Sequence, residues 1–437
     1  DPNRIFPGQK IIIPGYQLPK PPPEPEIAPA PPPPIPGPDQ HFLYTIVSGD
    51  TLNTIAKRYG ITVRELIEAN HIEDVKLLRI GQKLIIPGVF SPAAPAPPQV
   101  KPPAALGPAN AIRGFYVSYF AIGHPESRQR VFELLDQTEL NTVVIDLKGE
   151  HGWLSYPSQI PMAHEIGAVR PTAKDFQEVI ASLKARKVYI IARIVTFKDA
   201  PLAKAYPELT VKTGSGAAWQ DRDNISWVDP FLKPVWDYNV QIAVEAAQMG
   251  FDEIQFDSLR FPTASQAGEP QFSQEISKDS RVAAIAGFLS VARGQLNPLG
   301  VKLAAKTFGY TCWRKDDMLI GQDIERMAQY LDVLSPMLYP STFDNGIPGY
   351  RVPVAYPYEV IYESARRAVS RVNWLGCAVR PWIQDFQDYR FDRRSYGPAE
   401  IQAQIKGCFD AGCDGYLAWN PQLKYSNAAY AAVAVMP

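Results

Sequence analysis

The sequence predicts an α/β protein: a large (β/α)8 TIM barrel preceded by a small β-α-α-β domain, each entered through a proline-rich linker. Three observations predict it. Short apolar runs alternate with amphipathic stretches across residues 110–437, eight times in all, which is the rhythm of eight βα units. No glycine-rich phosphate loop follows the first run, as a doubly wound sheet would require, because Arg113-Gly114-Phe115 lies inside the run itself. Finally, PKPPPEPEIAPAPPPPIPGP at 19–38 and SPAAPAPPQVKPPAALGP at 91–108 divide the chain. Proline lacks a backbone donor and clashes with a preceding helical turn, so such runs form extended, semi-rigid spacers.

In chain order, residues 1–15 are expected to be the remnant of a truncated repeat, because RIFPGQKIIIP at 4–14 echoes RIGQKLIIP at 79–87. A linker follows at 16–40, the small domain at 41–89, a second linker at 90–109 and the barrel at 110–437. Within the small domain, Phe42 to Val47 alternates as a strand, and Ser48-Gly49-Asp50 turns the chain. Thr51 caps a helix with Leu52, Ile55, Ala56 and Tyr59 on one face, and Gly60 ends it. Thr62 caps a second helix built on Val63, Leu66 and Ile67, and Lys83 to Ile86 is the closing strand. A unit this small has no room for a buried active site, so it predicts binding rather than catalysis.

The segment resembles a LysM domain through Tyr44-Thr45-Ile46, Gly49-Asp50-Thr51-Leu52, Ile55-Ala56, Tyr59-Gly60, Asn70 and Gly81-Gln82-Lys83-Leu84. The resemblance implies binding to N-acetylglucosamine polymers, either peptidoglycan or a chitin-like polysaccharide. It implies a groove formed by Gly49, Asp50, Thr51 and Leu52 with Leu77, Leu78, Arg79 and Ile80.

The eight barrel runs are Ile112–Ser118, Thr142–Leu147, Val188–Val195, Glu253–Phe256, Lys302–Lys306, Val333–Tyr339, Gly376–Trp382 and Gly415–Trp419. Barrel enzymes carry their chemistry where strands end at the C-terminal face. Those ends supply Asp146 and Glu150, Arg193, Asp257 and Arg260, Lys306, Tyr339, then Arg380, Trp382, Gln384 and Asp385, and finally Trp419 and Asn420. Polar groups near a core are costly unless used. Long mouth loops add Trp153, Tyr156, Trp219, Trp227, Phe343, Tyr350 and Tyr389, and aromatic faces suit the C–H-rich faces of sugars. A structural role, gluing those loops down, is the plainer reading of any one of them.

The barrel resembles a family of glycoside-hydrolase barrels of bacterial envelope proteins. The motifs are Gly250-Phe251-Asp252-Glu253-Ile254-Gln255-Phe256-Asp257, Val379-Arg380-Pro381-Trp382-Ile383-Gln384-Asp385-Phe386, Val144-Ile145-Asp146-Leu147-Lys148 and Pro336-Met337-Leu338-Tyr339-Pro340. It departs from two better-understood groups. Leu259 stands where chitinase-like barrels carry an acid, and Lys306 and Gln255 stand where amylase-like barrels carry Glu and Arg.

Glycoside hydrolysis needs two carboxyl groups across the sugar. The expected pair is Asp257 with Asp385, and Asp146 is the third catalytic candidate. Glu150, Arg193, Arg260, Lys306, Tyr339, Arg380, Trp382, Gln384, Trp419 and Asn420 are expected to bind substrate. Arg193, Lys306 and Arg380 would each keep a neighbouring carboxylate ionised.

The resulting expectation is a wall-anchored glycosidase, a secreted monomer associated with the cell wall or a spore envelope, working without metal or other cofactor. Alternatives are an inactive glycan-binding barrel and a metal-independent wall-modifying hydrolase of another type. A net charge of −1 gives no pull toward nucleic acid, and no run reaches the roughly 18 apolar residues of a spanning helix. The five histidines are scattered and the four cysteines, Cys312, Cys377, Cys408 and Cys413, form no CxxC pair. Those cysteines are expected to be free, buried thiols. The chain opens at Asp1, and nothing about export follows from that.

Overall fold

The computed structural model describes residues 41–46, 50–59, 61–72, 79–90 and 110–431. The expected remnant at 1–15, the linker at 16–40 and the linker from 91 onward lie outside the described residues. The chain divides into two units, one before and one after Lys101.

In the small unit, β1 (His41–Thr45) pairs antiparallel with β2 (Lys83–Phe90), and Tyr44 stands opposite Leu84. Between them lie α1 (Leu52–Tyr59) and α2 (Val63–Asn70). Thr62 and Glu65 cap α2 reciprocally, satisfying donors that a helix start leaves unpaired. Ile46, Leu52, Ile55, Ala56, Leu66, Leu84 and Ile86 form the core. The Asn70 side chain ties α2 to β2: its Nδ2 donates to Ile85 O at 2.6 Å, and Ile85 N–H donates to its Oδ1 at 2.5 Å. That bridge gives the asparagine of the motif a structural job.

The large unit is a closed parallel barrel. Its strands are β3 (Ile112–Val117), β4 (Thr142–Lys148), β5 (Tyr189–Val195), β6 (Glu253–Asp257), β7 (Lys302–Phe308), β8 (Val333–Met337), β9 (Ala378–Val379), β10 (Trp382–Gln384) and β11 (Gly415–Trp419). Neighbours in sequence pair in parallel, β11 returns to β3, and both β9 and β10 pair with β8. Eight staves thus come from nine segments. The seventh stave is interrupted at Arg380-Pro381 because Pro381 has no N–H for the ladder, though its carbonyl still accepts from Leu417 N–H at 2.9 Å. The stave runs on to Gln384, two residues past the expected end at Trp382.

Helices including Pro125–Gln137, Phe176–Ala185, Lys233–Gln248, Lys278–Leu296, Pro357–Val372 and Pro398–Asp410 clothe the outside. Their apolar faces and the outward faces of the strands make the main core. A second, smaller cluster fills the barrel: Tyr116, Val144, Ile191, Tyr339, Trp382 and Leu417. Strand β6 alternates, so Glu253, Gln255 and Asp257 point inward at rising heights. Each is matched there: Glu253 by Arg380 at 2.7 Å, Gln255 by the Trp382 indole N–H at 2.9 Å, and Asp257 by Lys306 at 3.0 Å. The four cysteines are buried and unbridged. Among the described residues no helix is long and apolar enough to cross a membrane.

Candidate active site

Asp146, Asp257 and Asp385 all sit at the C-terminal ends of parallel strands, hence at one face of the barrel. Two of them converge on one cation. Arg193, on β5, donates from Nη1 to Asp146 Oδ1 at 2.7 Å and from Nε to Asp257 Oδ2 at 2.7 Å. Its Nη2 reaches Glu150 Oε1 at 2.5 Å and the same Asp257 oxygen at 2.7 Å. Lys306 adds a second cation 3.0 Å from Asp257 Oδ2, and Ser258 N–H donates to Asp257 Oδ1 at 2.6 Å. Ser258 is in the left-handed region, φ +48°, an uncommon conformation that turns the chain sharply after the strand.

These contacts decide the charge states. Burial would raise the Asp257 carboxyl, but Lys306 and Arg193 outweigh it and hold the group well below the usual carboxylate range. Burial dominates at Asp146 and raises it despite Arg193 and the Tyr116 hydroxyl, which donates at 2.7 Å. Burial would depress Arg193, yet Asp146, Asp257 and Glu150 together push it up. At Lys306 burial wins and lowers the ammonium.

Asp257, Arg193, Lys306, Ser258, Arg260, Tyr339 and Trp419 line a cavity of about 300 Å³, and Glu150 reaches into it from its loop. Of the three carboxylates on Arg193, Glu150 is the accessible one, its side chain 46% exposed against 4% and 10% for Asp146 and Asp257. Its loop is firmly seated. Lys148 and Asp199 form a buried ion pair at 2.6 Å beneath it. Gly152, at φ +82°, lies so close that a Cβ would stand 2.5 Å from Asp199 Oδ1, so only glycine closes the turn. Lys198 approaches Glu150 Oε2 at 3.5 Å. The cavity floor is aromatic: Trp419 stacks on Tyr116 with centroids 4.1 Å apart, and the Lys306 ammonium lies 4.3 Å from the Trp419 ring centre. The Tyr339 hydroxyl is buried without a partner.

Other expected site residues fall elsewhere. Asp385 does not line this cavity; it is 5% exposed, accepting from Tyr430 Oη at 2.6 Å and Asn420 Nδ2 at 3.4 Å. Burial pushes it up to about 6 against those two bonds. Asp385, engaged by Tyr430 and Asn420, is thus not brought into the cavity that Asp257 lines, whereas Glu150 is. Arg380 is corrected outright. It lies low in the barrel, paired with Glu253 and with Asp414 at 2.6 Å, because the stave continues four residues above it. Trp382 is fully buried under Lys306 and bonded to Gln255, so it offers no face to a sugar. Gln384 is also fully buried, bonded to Ser341 and Gln404. Among the loop aromatics, Tyr156, Trp219, Trp227 and Phe343 are buried and fasten the loops. Tyr389, 51% exposed, lines an adjoining compartment with Phe386 and Trp419.

Sequence reasoning passed over Tyr116, Lys198, Ser258 and Phe308. Tyr116 stands one residue before the end of β3, so the strand-end rule applied to the first stave finds it.

On the small unit, Leu52 is corrected. It turns inward and is buried in the core, being the first apolar residue of α1's inner face. Thr51 is exposed and exchanges hydrogen bonds with Thr54, Asp50 accepts from Tyr44 Oη at 2.5 Å, and Arg79 and Ile80 are exposed. Gly49, Leu77 and Leu78 lie outside the described residues.

Residues 114–425 match the family described as "Putative glycosyl hydrolase domain". The chain belongs to this family. Residues 44–87 match the LysM domain. An N-acetylmuramoyl-L-alanine amidase of Bacillus subtilis is 46% identical over 59 residues, covering 14% of this chain and 19% of the amidase. The chain thus spans about a fifth of that relative's length. A hypothetical protein from Ruminiclostridium thermocellum of known structure is 36% identical, covering 44% of this chain and 96% of its own, with a TM-score of 0.39. The PgaB glycoside hydrolase domain from Bordetella bronchiseptica superposes over 74% of this chain and 100% of its own with a TM-score of 0.54 at 12% identity. That likeness shows the barrel fold.

Proposed function

We propose that the barrel hydrolyses an N-acetylglucosamine-containing wall polysaccharide, in the first place peptidoglycan, and that the LysM domain holds it on that polymer. The observation carrying the chemistry is the sharing of Arg193 Nη2 by Asp257 and Glu150, at 2.7 and 2.5 Å, within one cavity. Both oxygens on one nitrogen put the two carboxyl groups within about 5 Å, the separation of a retaining pair.

In this reading Asp257, held ionised, attacks the anomeric carbon while Glu150, which must first take up a proton as substrate displaces it from Arg193, passes that proton to the departing oxygen. The bond broken is C–O of the glycoside, and the bond formed is the ester to Asp257. Water then attacks the same carbon, Glu150 takes its proton, and Asp257 leaves as carboxylate. Arg193 and Lys306 hold Asp257 in place and charged. Asp146 and Tyr116 are positioning residues acting through Arg193 and Trp419. The LysM match and the amidase relative support work outside the cell, at the wall; that the protein is a monomer, and that a spore envelope is an alternative location, belong to the same proposal.

One observation favours a binding-only barrel: every carboxylate on Arg193 is already matched by a cation, as in a network that merely closes a barrel mouth. Product release from purified peptidoglycan and N-acetylglucosamine oligomers, repeated with Asp257→Asn and Glu150→Gln, decides between them. Turnover lost in both variants supports the glycosidase. No turnover by the unmodified protein on any wall glycan supports the binding module.

A further inference from the structure

The Asp257 cavity adjoins a second compartment of about 450 Å³, lined by Lys198, Trp219, Asp221, Trp227 and Pro262 among others. Arg260 and Phe308 belong to both walls. Tyr339, Met337, Phe308 and Trp419 are shared with another compartment of about 320 Å³ that also holds Phe386 and Tyr389. The cavity around Asp257 thus adjoins a charged compartment at Arg260 and an aromatic one at Trp419.

Arg260 is the unspent group. Its guanidinium lies between two rings, 4.6 Å from the centre of Trp227 and 5.3 Å from that of Phe308. Its one hydrogen bond runs from Nη1 to Phe261 O at 3.3 Å, and among the described residues no carboxylate is in ion-pair contact with it. Of the other cations lining these walls, Lys306 is taken by Asp257, Lys198 by Asp221, Asp223 and Glu150, and Arg193 by three carboxylates, while Arg222 is exposed to solvent, so Arg260 is the sheltered cation without a carboxylate. A partly desolvated guanidinium is costly unless its donors are met, and its planar fork fits a carboxylate with two parallel bonds. Asp257, Glu150 and Asp221 are near enough to feel its charge. The discrimination therefore comes from directed donors, not from a net positive field.

We propose, resting on the glycosidase reading, that Arg260 receives the carboxylate of the sugar next to the bond that is cut, so that the substrate is an acidic glycan. The aromatic compartment then takes a neutral sugar. The left-handed turn at Ser258 puts Asp257 and Arg260, three residues apart, on one cavity wall, which fixes the carboxylate's distance from the reacting carbon. Two sources present such a group: the lactyl ether carboxylate of a muramic acid stripped of its peptide, and the C6 carboxylate of a uronic acid.

The test uses the full chain and three oligosaccharides: a neutral N-acetylglucosamine oligomer, a peptide-free muramic-acid-containing oligomer, and a uronic-acid-containing one, the last two also in carboxyl-reduced form. Binding is measured calorimetrically with Asp257→Asn, and kcat/KM with the active protein. The expected result is about a tenfold or larger preference for one acidic oligomer over its reduced form, the size of a hydrogen bond to a charged group. The oligomer that shows it identifies the source. In Arg260→Gln the preference collapses toward one. Arg260→Lys, which keeps charge and stem, retains only part of it, and the melting temperature of both variants checks folding. No preference in the unmodified protein, or a preference that survives Arg260→Gln, overturns the proposal. Hydrolysis without preference would leave the glycosidase standing and remove the subsite. Preferential binding without hydrolysis would do the reverse.

Discussion

Replacing Lys306 by methionine removes the ammonium 3.0 Å from Asp257 Oδ2 while keeping an apolar stem beneath Trp419 and over Trp382. Asp257 then has Arg193 alone, at 2.7 Å. Burial by itself raises the Asp257 carboxyl, and the Lys306 charge is the larger of the two that reverse this. Losing one close opposite charge raises a carboxyl by about 1–3 pKa units, each about 1.4 kcal/mol. The sign follows. In the native protein the folded carboxyl lies below its unfolded value, so its ionisation contributes stability above about pH 4 that is lost as the pH falls through the lower folded value. In Lys306→Met that loss begins at higher pH. The acid limb of kcat/KM and the acid side of the melting curve should therefore both move up by about 1–3 pH units. Near neutral pH the cost should fall below the roughly 3–5 kcal/mol of breaking a lone buried pair, because Arg193 remains. Melting curves from pH 3 to 8 and pH–rate profiles on a wall glycan measure it. An acid limb coincident with that of the unmodified protein would refute the idea that Lys306 keeps Asp257 charged.

Asp257→Asn and Glu150→Gln should each lower turnover by at least about a hundredfold, as loss of an acid, base or nucleophile does; full turnover in either removes it from the pair, and loss in Asp385→Asn would return Asp385 to it. Asp385 binds its proton more tightly folded than unfolded, with a folded value of about 6. Its contribution therefore favours folding at low pH and is lost as the pH rises through about 6, at a cost of about 2–3 kcal/mol. Asp385→Asn should flatten the melting curve between pH 4 and 7, and an unchanged slope contradicts this. Residues 42–88 alone should be retained on insoluble peptidoglycan in a pull-down, and a segment found wholly in the supernatant contradicts the LysM role. Four thiols should titrate per unfolded chain without reductant, since the structure holds four buried, unbridged cysteines; a lower count would show a bridge.

The staves were legible because buried parallel strands read as mainly apolar runs, as in Val143 to Leu147 and Tyr189 to Val195, each broken by one charged residue near its end, Asp146 and Arg193. Strand ends were less so. The seventh stave reads as ending at Trp382, yet past Pro381 the ladder resumes and carries two more residues, to Gln384. That slip lifted Arg380 in the reading from a low layer of the barrel, where it neutralises Glu253, to the rim. It also made Trp382 a sugar platform when it is a core residue. The convergence of Asp146, Glu150 and Asp257 on Arg193 was beyond sequence, because it depends on barrel tilt and on a loop whose seat is a buried Lys148–Asp199 pair. The departure from amylase-like barrels at the fifth stave has a physical counterpart: Lys306, standing where they carry Glu, pairs with Asp257. The loop tryptophans follow the plainer reading: Trp219 and Trp227 are buried and serve as the core of their own loops.

Attack of Asp257 on the sugar carbon is measured most directly by intact-protein and peptide mass spectrometry of the full chain after brief exposure to an activated 5-fluoro N-acetylglucosaminide, or to a 2-deoxy-2-fluoroglucosyl fluoride bearing N-acetylglucosamine on O4. The expected result is one added glycosyl mass, located on Asp257 and absent from Asp257→Asn. A protein that releases product from wall glycan yet carries no adduct, or carries it on Glu150, Asp146 or Asp385, would contradict it.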